Sequence, residues 1–241
     1  MARMPSIFIP HGGGPSFFMT GERKIQYQPT EDFLRSVQHL LPEKPKTILI
    51  ITAHWETRTP SFTGGTNPGL IFDYFGFPPE TYELTYPALG SPSLAQRAAD
   101  LLKEAGLPAL VETDYGWDHG VFIPLKVMYP EADVPVVAMS LHESLNPELH
   151  AHFGRALAPL RDEGVLIVGS GMSYELSQLA SLYGLRARVV CFSRLDRPSG
   201  TRFVARTLRP TRQLARSTRG PSLAPKGGAF AALDGGKRCG L

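Results

Sequence analysis

Three of the seven histidines lie in settings that suit metal chemistry. His11 follows a short apolar run and precedes three consecutive glycines, and His54 follows a longer apolar run. His119 lies between Asp118 and Gly120, in a segment that we predict to be a loop. Neutral imidazole is a good ligand for Zn²⁺ and Fe²⁺. These positions predict a metal-centred active site built on His11 and His54, with His119 as a nearby acid or base.

A catalytic metal site usually needs a third protein ligand and open positions for a substrate. The best candidate is Glu175, which lies shortly after a fourth apolar run and the Gly169-Ser170-Gly171 segment. Two histidines and one carboxylate would leave positions open for a small molecule and O₂. An alternative interpretation of Glu175 is equally good, because the helix dipole favours a solvated glutamate at the start of a helix.

Elements of regular length must position these residues. Apolar runs of strand length cover 6–9, 47–53, 134–139 and 165–168, and helical periodicity covers 33–41, 92–105 and 146–160. This alternation predicts an α/β fold, with a mostly parallel central sheet flanked by helices in a single domain. Ligands of such sheets bind beyond the carboxyl ends of the strands. His11 and His54 can therefore converge although 43 residues separate them.

The segment 62–90 lacks this rhythm and is rich in glycine, proline and aromatic residues. Long loops in compact domains are usually functional. We expect this loop either to form the wall of a small-ligand pocket or to make a separate hydrophobic cluster.

The charge is distributed unevenly along the chain. Residues 1–183 contain 12 Lys and Arg against 20 Asp and Glu, whereas residues 184–241 contain 13 against 2. The excess of arginine and the loss of periodicity indicate a catalytic domain over 1–175 and a basic tail over 176–241 that is non-native or disordered. A shift of the reading frame near residue 175 would produce such a tail. A nucleic-acid-binding arm is disfavoured, because aromatic and basic residues do not interleave regularly.

The remaining composition is that of an ordinary globular protein. The two cysteines, Cys191 and Cys239, form no CxxC pair, and no apolar stretch has the length of a membrane span. The first residues lack the apolar core of a signal peptide. We therefore expect a cytoplasmic protein with no membrane partner, either monomeric or assembled as a homo-oligomer.

Seven short motifs recur in an order that resembles a known family. They are PHGGGP at 10–15, TAHW at 52–55, YFGFP at 74–78, YPALG at 86–90, DHG at 118–120, MYP at 128–130 and LRDEG at 160–164. Together they resemble the class III extradiol ring-cleavage dioxygenases, in the DOPA 4,5-dioxygenase-like branch of the LigB superfamily. The similarity covers roughly residues 4–174.

The resemblance implies a non-haem metal, Fe(II) for activity or Zn(II) as isolated, with a catechol and O₂ as substrates. His11 and His54 match the family's metal ligands, and His119 matches its active-site histidine. The chain also departs from the pattern. The family typically has a histidine where this chain has Glu175, and a later histidine-containing segment, whereas no histidine follows His152 here. A catalytically impaired metal- or peptide-binding relative and a zinc hydrolase using His11, His54 and Glu175 are the alternative functions.

Overall fold

A six-stranded sheet forms the centre of the computed structural model, which describes residues 2–172, 189–195 and 202–208. Its strands are β1 (Ser6–Ile9), β2 (Thr47–Thr57), β3 (Ser61–Thr63), β4 (Leu110–Glu112), β5 (Val136–His142) and β6 (Val165–Ser170). The strand order is β1-β6-β2-β5-β3-β4. Only β3 and β5 pair antiparallel in this sheet. The predicted α/β class with a mostly parallel sheet is confirmed.

Four α-helices flank the sheet in the described part of the chain. They are α1 (Glu22–Ser36), α2 (Pro92–Glu104), α3 (His119–Met128) and α4 (Pro147–Leu157). The side chain of Ser91 caps α2, and that of Asn146 caps α4. Short 3-10 helices cover Ser16–Phe18, Val37–Leu40, Pro79–Tyr82 and Ala158–Glu163. None of the described helices is both long and apolar enough to cross a bilayer.

Alternate residues of the central strands bury into two cores, one on each face of the sheet. Ile48 and Ile50 of β2 join the core that includes residues of α1 and α3, whereas Leu49 joins the core that includes residues of α2 and α4. All three side chains are fully buried. This explains the continuous apolar run in the sequence, since a parallel strand covered on both faces needs no polar side.

Two sequence-based predictions of local structure are wrong. His119 is not in a loop but is the first residue of α3, whose continuous apolar sequence hides helical periodicity because nearly every side chain is buried. His54 does not follow β2 but lies within it, because β2 resumes pairing with β5 after a register shift between Ile51 and Glu56. The short strands β3 and β4 were not predicted from the sequence.

The predicted boundary at residue 175 falls within residues 173–188, outside the described residues, so it stays a prediction. The predicted tail contains two described strands, β7 (Val189–Leu195) and β8 (Arg202–Leu208). They pair antiparallel, with Val189 opposite Leu208. The sequence patterns did not indicate this pair.

Candidate metal centre

The three predicted histidines meet at one end of the sheet. His11 follows β1, His54 lies in β2 and His119 begins α3. One ligand nitrogen from each lies within 4.8 Å of the others, so the group can hold a metal ion. The ring centroids of His54 and His119 are 4.0 Å apart, and those of His11 and His119 are 5.2 Å apart. The topological expectation that His11 and His54 converge therefore agrees with the geometry.

The loop after β1 turns sharply to place His11. Gly12 and Gly14 have φ values of +76° and +56°, a backbone conformation that residues other than glycine rarely adopt. A Cβ at Gly14 would also lie 3.0 Å from the ring of Phe77. These glycines let the backbone fold back over the end of the sheet and leave His11 only 3% exposed.

A hydroxyl group at the end of β6 defines the tautomer of His11. The Ser170 hydroxyl donates to the backbone carbonyl of Gly120 at 2.5 Å, which uses its one hydrogen. Ser170 Oγ lies 3.0 Å from His11 Nδ1 and can therefore only accept there. Nδ1 of His11 consequently carries the hydrogen, and its Nε2 presents a lone pair.

That lone pair faces His54. The two Nε2 atoms are 3.0 Å apart. Two nitrogen ligands about 2.1 Å from one metal ion and at right angles to each other would have about this separation. The donor set of neutral nitrogens suits Zn²⁺ or Fe²⁺. His11 and His54 thus fit the Fe(II) or Zn(II) that the motif resemblance implies.

Both histidines are held in the neutral form that binds metal. Burial, with the neighbouring His54 and His119, lowers the pKa of His11 well below its ordinary value. Burial and His119 lower the pKa of His54 to about 4, against the opposing effect of Asp73. Protons therefore do not compete for these nitrogens at neutral pH.

Buried hydrogen bonds of Thr52 lie at the register shift in β2. Thr52 is fully buried, and its hydroxyl donates to Asp118 Oδ1 at 2.7 Å while accepting from the backbone N–H of His54 at 3.2 Å. A Cβ at Gly120 would lie 2.7 Å from this hydroxyl and 2.9 Å from the His54 ring. Glycine at position 120 is therefore required for α3 to start this close to β2.

The Asp118 side chain makes no hydrogen bond to the ring of the neighbouring His119. Its Oδ1 accepts from Thr52, and its Oδ2 has no hydrogen-bond partner in the described part of the chain. Burial raises the pKa of Asp118 to about 6.

The carboxylate that hydrogen-bonds to His119 belongs to Asp73, a residue that the sequence analysis did not identify. Asp73 Oδ1 accepts from the backbone N–H of His119 at 2.9 Å and lies 2.8 Å from its Nδ1. Asp73 Oδ2 lies 3.4 Å from Nδ1 of His54. One signal was available, because Asp73 is the only charged residue between Arg58 and Glu80.

The aromatic-rich loop 62–90 packs into the core that includes residues of α1 and α3, rather than forming a separate cluster. Tyr74 and Tyr86 are buried in that core, and Phe72, Phe77 and Tyr82 pack against it. Tyr74 also contacts His119, with ring centroids 5.9 Å apart in an edge-to-face arrangement. The loop therefore contacts the histidine group on the His119 side, and its expected role as the wall of a small-ligand pocket stays a prediction.

The site opens on the side of His54. The side chains of His54 and Asp73 are 32% and 24% exposed, whereas that of His119 is 7% exposed. A cavity of about 740 Å³ elsewhere, lined by α4 and the strands behind it, contains none of these histidines. Glu175 lies outside the described residues, so its role as a third ligand stays a prediction.

Comparison with known proteins agrees with this geometry. A family model described as the catalytic LigB subunit of aromatic ring-opening dioxygenase matches residues 5–183. The chain belongs to the LigB family. The resemblance read from the seven motifs is thereby confirmed, and LigB dioxygenases are metalloenzymes, in keeping with the three-histidine group.

Two similar proteins have dioxygenase names, and a similar solved structure is also known. "Dioxygenase tasH" of Hapsidospora irregularis is 41% identical over 85% of this chain and 63% of its own length. "4,5-DOPA dioxygenase extradiol" of Beta vulgaris is 48% identical over 60% of this chain and 54% of its own length. The crystal structure of "uncharacterized protein JW3007" from Escherichia coli K12 has a TM-score of 0.55 and 34% identity, covering 71% of this chain and 61% of that one. The chain thus spans less than two thirds of each of these proteins.

Proposed function

We propose that this chain is an extradiol dioxygenase, dependent on Fe(II), that opens the aromatic ring of a DOPA-like catechol with O₂. The observation that carries the proposal is the convergence of His11, His54 and His119 at the end of the sheet of a LigB-family chain. The names of relatives such as the Beta vulgaris enzyme support the substrate class. The expected compartment is the cytoplasm, and no nucleic-acid partner is proposed.

His11 and His54 are the proposed metal ligands. Both present neutral nitrogens toward one point, and their Nε2 atoms are 3.0 Å apart. When bound, Fe(II) would supply binding positions for the two catechol oxygens and for O₂. Glu175 remains the proposed third ligand, on the sequence pattern of two histidines and a carboxylate.

His119 is the proposed proton acceptor. The contact of its Nδ1 with Asp73 leaves Nε2 free to take a proton from the substrate hydroxyl. A positioned imidazole with a carboxylate behind it is a common general base, and it typically contributes about 10²- to 10⁴-fold to the rate.

Aromatic side chains close to the histidine group support a flat aromatic substrate. Tyr74 borders His119, and Trp55 stacks on Tyr115 with ring centroids 3.9 Å apart. Burial raises the pKa of Tyr115 to about 12, so it stays neutral and adds no charge to the site. The half-exposed His54 leaves a path by which the catechol enters.

Oxygen consumption tests the proposal directly. The purified chain is loaded anaerobically with Fe(II) and mixed with DOPA and O₂. We expect equimolar O₂ uptake and a yellow ring-opened semialdehyde. His54→Ala should abolish both, whereas His152→Ala, a change at an exposed histidine on α4, should have no effect.

Three results would contradict the proposal in different ways. Full activity of His54→Ala would remove His54 from the site. Ester hydrolysis without any need for O₂ would favour the zinc hydrolase. Tight metal binding without O₂ consumption in the presence of any catechol would favour the catalytically impaired relative.

A further inference from the structure

Asp73 occupies a fixed place beside the metal centre although it belongs to a long loop. The backbone N–H of Ile71 donates to the carbonyl of Trp117 at 2.7 Å, and that of Trp117 donates to the carbonyl of Gly69 at 2.8 Å. These bonds tie the loop to the segment that leads into α3. Asp73 follows two residues later and receives the first backbone N–H of α3, that of His119.

The carboxylate of Asp73 contacts the Nδ1 atom of His119 and the Nδ1 atom of His54. Oδ1 lies 2.8 Å from Nδ1 of His119, and Oδ2 lies 3.4 Å from Nδ1 of His54. Oδ1 also accepts from the backbone N–H of His119 at 2.9 Å, so the carboxylate acts as an acceptor on this side. An ionised carboxylate has only lone pairs to offer, so it favours hydrogen on a ring nitrogen that faces it. The contact with His119 is a hydrogen bond, and the longer contact with His54 is electrostatic.

We propose that Asp73 is a positioning residue that holds His54 and His119 together in the Nδ1–H form. The Nε2 lone pairs of both rings then point toward the centre, where His11 Nε2 already presents its own. The inference rests on the proposed metal site, since it concerns how that site's ligands are oriented. A carboxylate behind a metal-binding histidine commonly fixes its tautomer and ring orientation.

Asp73 is not itself placed to be a ligand at this centre. Its two oxygens engage the Nδ1 sides of His54 and His119, whereas the His11–His54 contact is formed by the Nε2 atoms. Among the described residues, the side chains that can share one metal ion are His11, His54 and His119.

Two different groups therefore define the three tautomers. Ser170 defines that of His11 through its bond to the Gly120 carbonyl, and Asp73 defines the other two. Loss of Ser170 would affect one imidazole, while loss of the whole Asp73 side chain would affect two.

Nitrogen NMR of the metal-free chain tests the tautomers without any activity. With ¹⁵N-labelled histidine at neutral pH, long-range proton correlations distinguish a protonated ring nitrogen from an unprotonated one. We expect His54 and His119 to carry hydrogen on Nδ1 and to have unprotonated Nε2. Hydrogen on Nε2 of either residue, with bare Nδ1, would overturn the proposal even if every variant failed to fold.

Asp73→Asn makes a sharper prediction. The amide oxygen can still accept from His119, but its NH₂ group then faces His54 Nδ1 and favours hydrogen on His54 Nε2. That hydrogen would occupy the contact with His11. We expect His54 to change tautomer, His119 to keep its own, and the affinity for Co²⁺ to fall about 10- to 100-fold. Asp114→Asn, at an exposed carboxylate nearby, is the matched control and should change neither readout.

The failures of the two proposals are distinguishable. Correct tautomers in a protein without O₂ uptake would contradict the dioxygenase and leave the role of Asp73 intact. Unchanged His54 tautomer and unchanged Co²⁺ affinity in Asp73→Asn would overturn the role of Asp73 whatever the activity. Loss of Co²⁺ affinity with unchanged tautomers would make Asp73 a ligand instead.

Discussion

Two groups of titratable side chains in the described part of the chain are built in opposite ways. In α1, Glu31 has a side chain only 5% exposed and accepts from Arg35 at 2.8 Å and from Lys24. Every charge in that group has a partner. At the end of the sheet, His11 and His54 instead bring two Nε2 atoms within 3.0 Å of each other, with no charged partner on that side.

The difference separates stabilisation from function. Opposite charges in α1 offset the cost of removing Glu31 from water, so the group helps to hold the helix. With both rings in the proposed Nδ1–H form, the facing Nε2 atoms gain nothing from one another without a cation between them. Such an arrangement persists because the surrounding fold fixes it, and it is the kind of local conflict that marks a functional site.

The largest expected effect comes from His119, which should matter for catalysis but not for metal retention. His119→Ala should lower the turnover of the Fe(II)-loaded chain about 10²- to 10⁴-fold, because the proposed proton acceptor is lost. Its metal content should match that of the parent chain and of His39→Ala, which changes an exposed histidine. Loss of metal from His119→Ala would make His119 a ligand and enlarge the metal site to three histidines.

A smaller effect should come from Glu31, and it should be confined to stability. Glu31→Gln removes the charge that Lys24 and Arg35 neutralise, and should lower the free energy of unfolding by about 1–2 kcal/mol at pH 7. Although burial raises the pKa of Glu31, the bonds from Lys24 and Arg35 hold it below the ordinary 4.5. This contribution is therefore present above that value and is lost as the pH falls through the lowered pKa.

Chemical denaturation at pH 7 and at lower pH measures this effect. The difference between Glu31→Gln and the parent chain should shrink as the pH falls below about 4.5. A difference that stays constant over this range, or a change in metal affinity of Glu31→Gln, would contradict the separation of the two groups.

The sequence was informative where burial is periodic or the chain order is simple. The strands β1, β2, β5 and β6 were predictable because their apolar runs have strand length and end at glycine, proline or polar residues. The convergence of His11 and His54 followed from the rule that parallel strands share one carboxyl edge. The helices α2 and α4 were marked by amphipathic spacing and by capping residues.

Other features depend on contacts that no local pattern encodes. The helix α3 is buried on nearly all sides, so its sequence lacks an amphipathic face and His119 was assigned to a loop. Asp73 reaches His119 across 46 residues because backbone hydrogen bonds join Gly69 and Ile71 to Trp117. His54 lies inside β2 because of a register shift, which spacing alone does not reveal.

Metal-dependent unfolding tests most directly whether the histidine group is a metal site. Zn²⁺ at about 100 times its dissociation constant should stabilise the metal-free chain by about 2.7 kcal/mol. Glu31→Gln should be stabilised by the same amount from a lower starting point, whereas His11→Ala should show almost no stabilisation. An equal stabilisation of His11→Ala and the parent chain would contradict the assignment of the metal to this cluster.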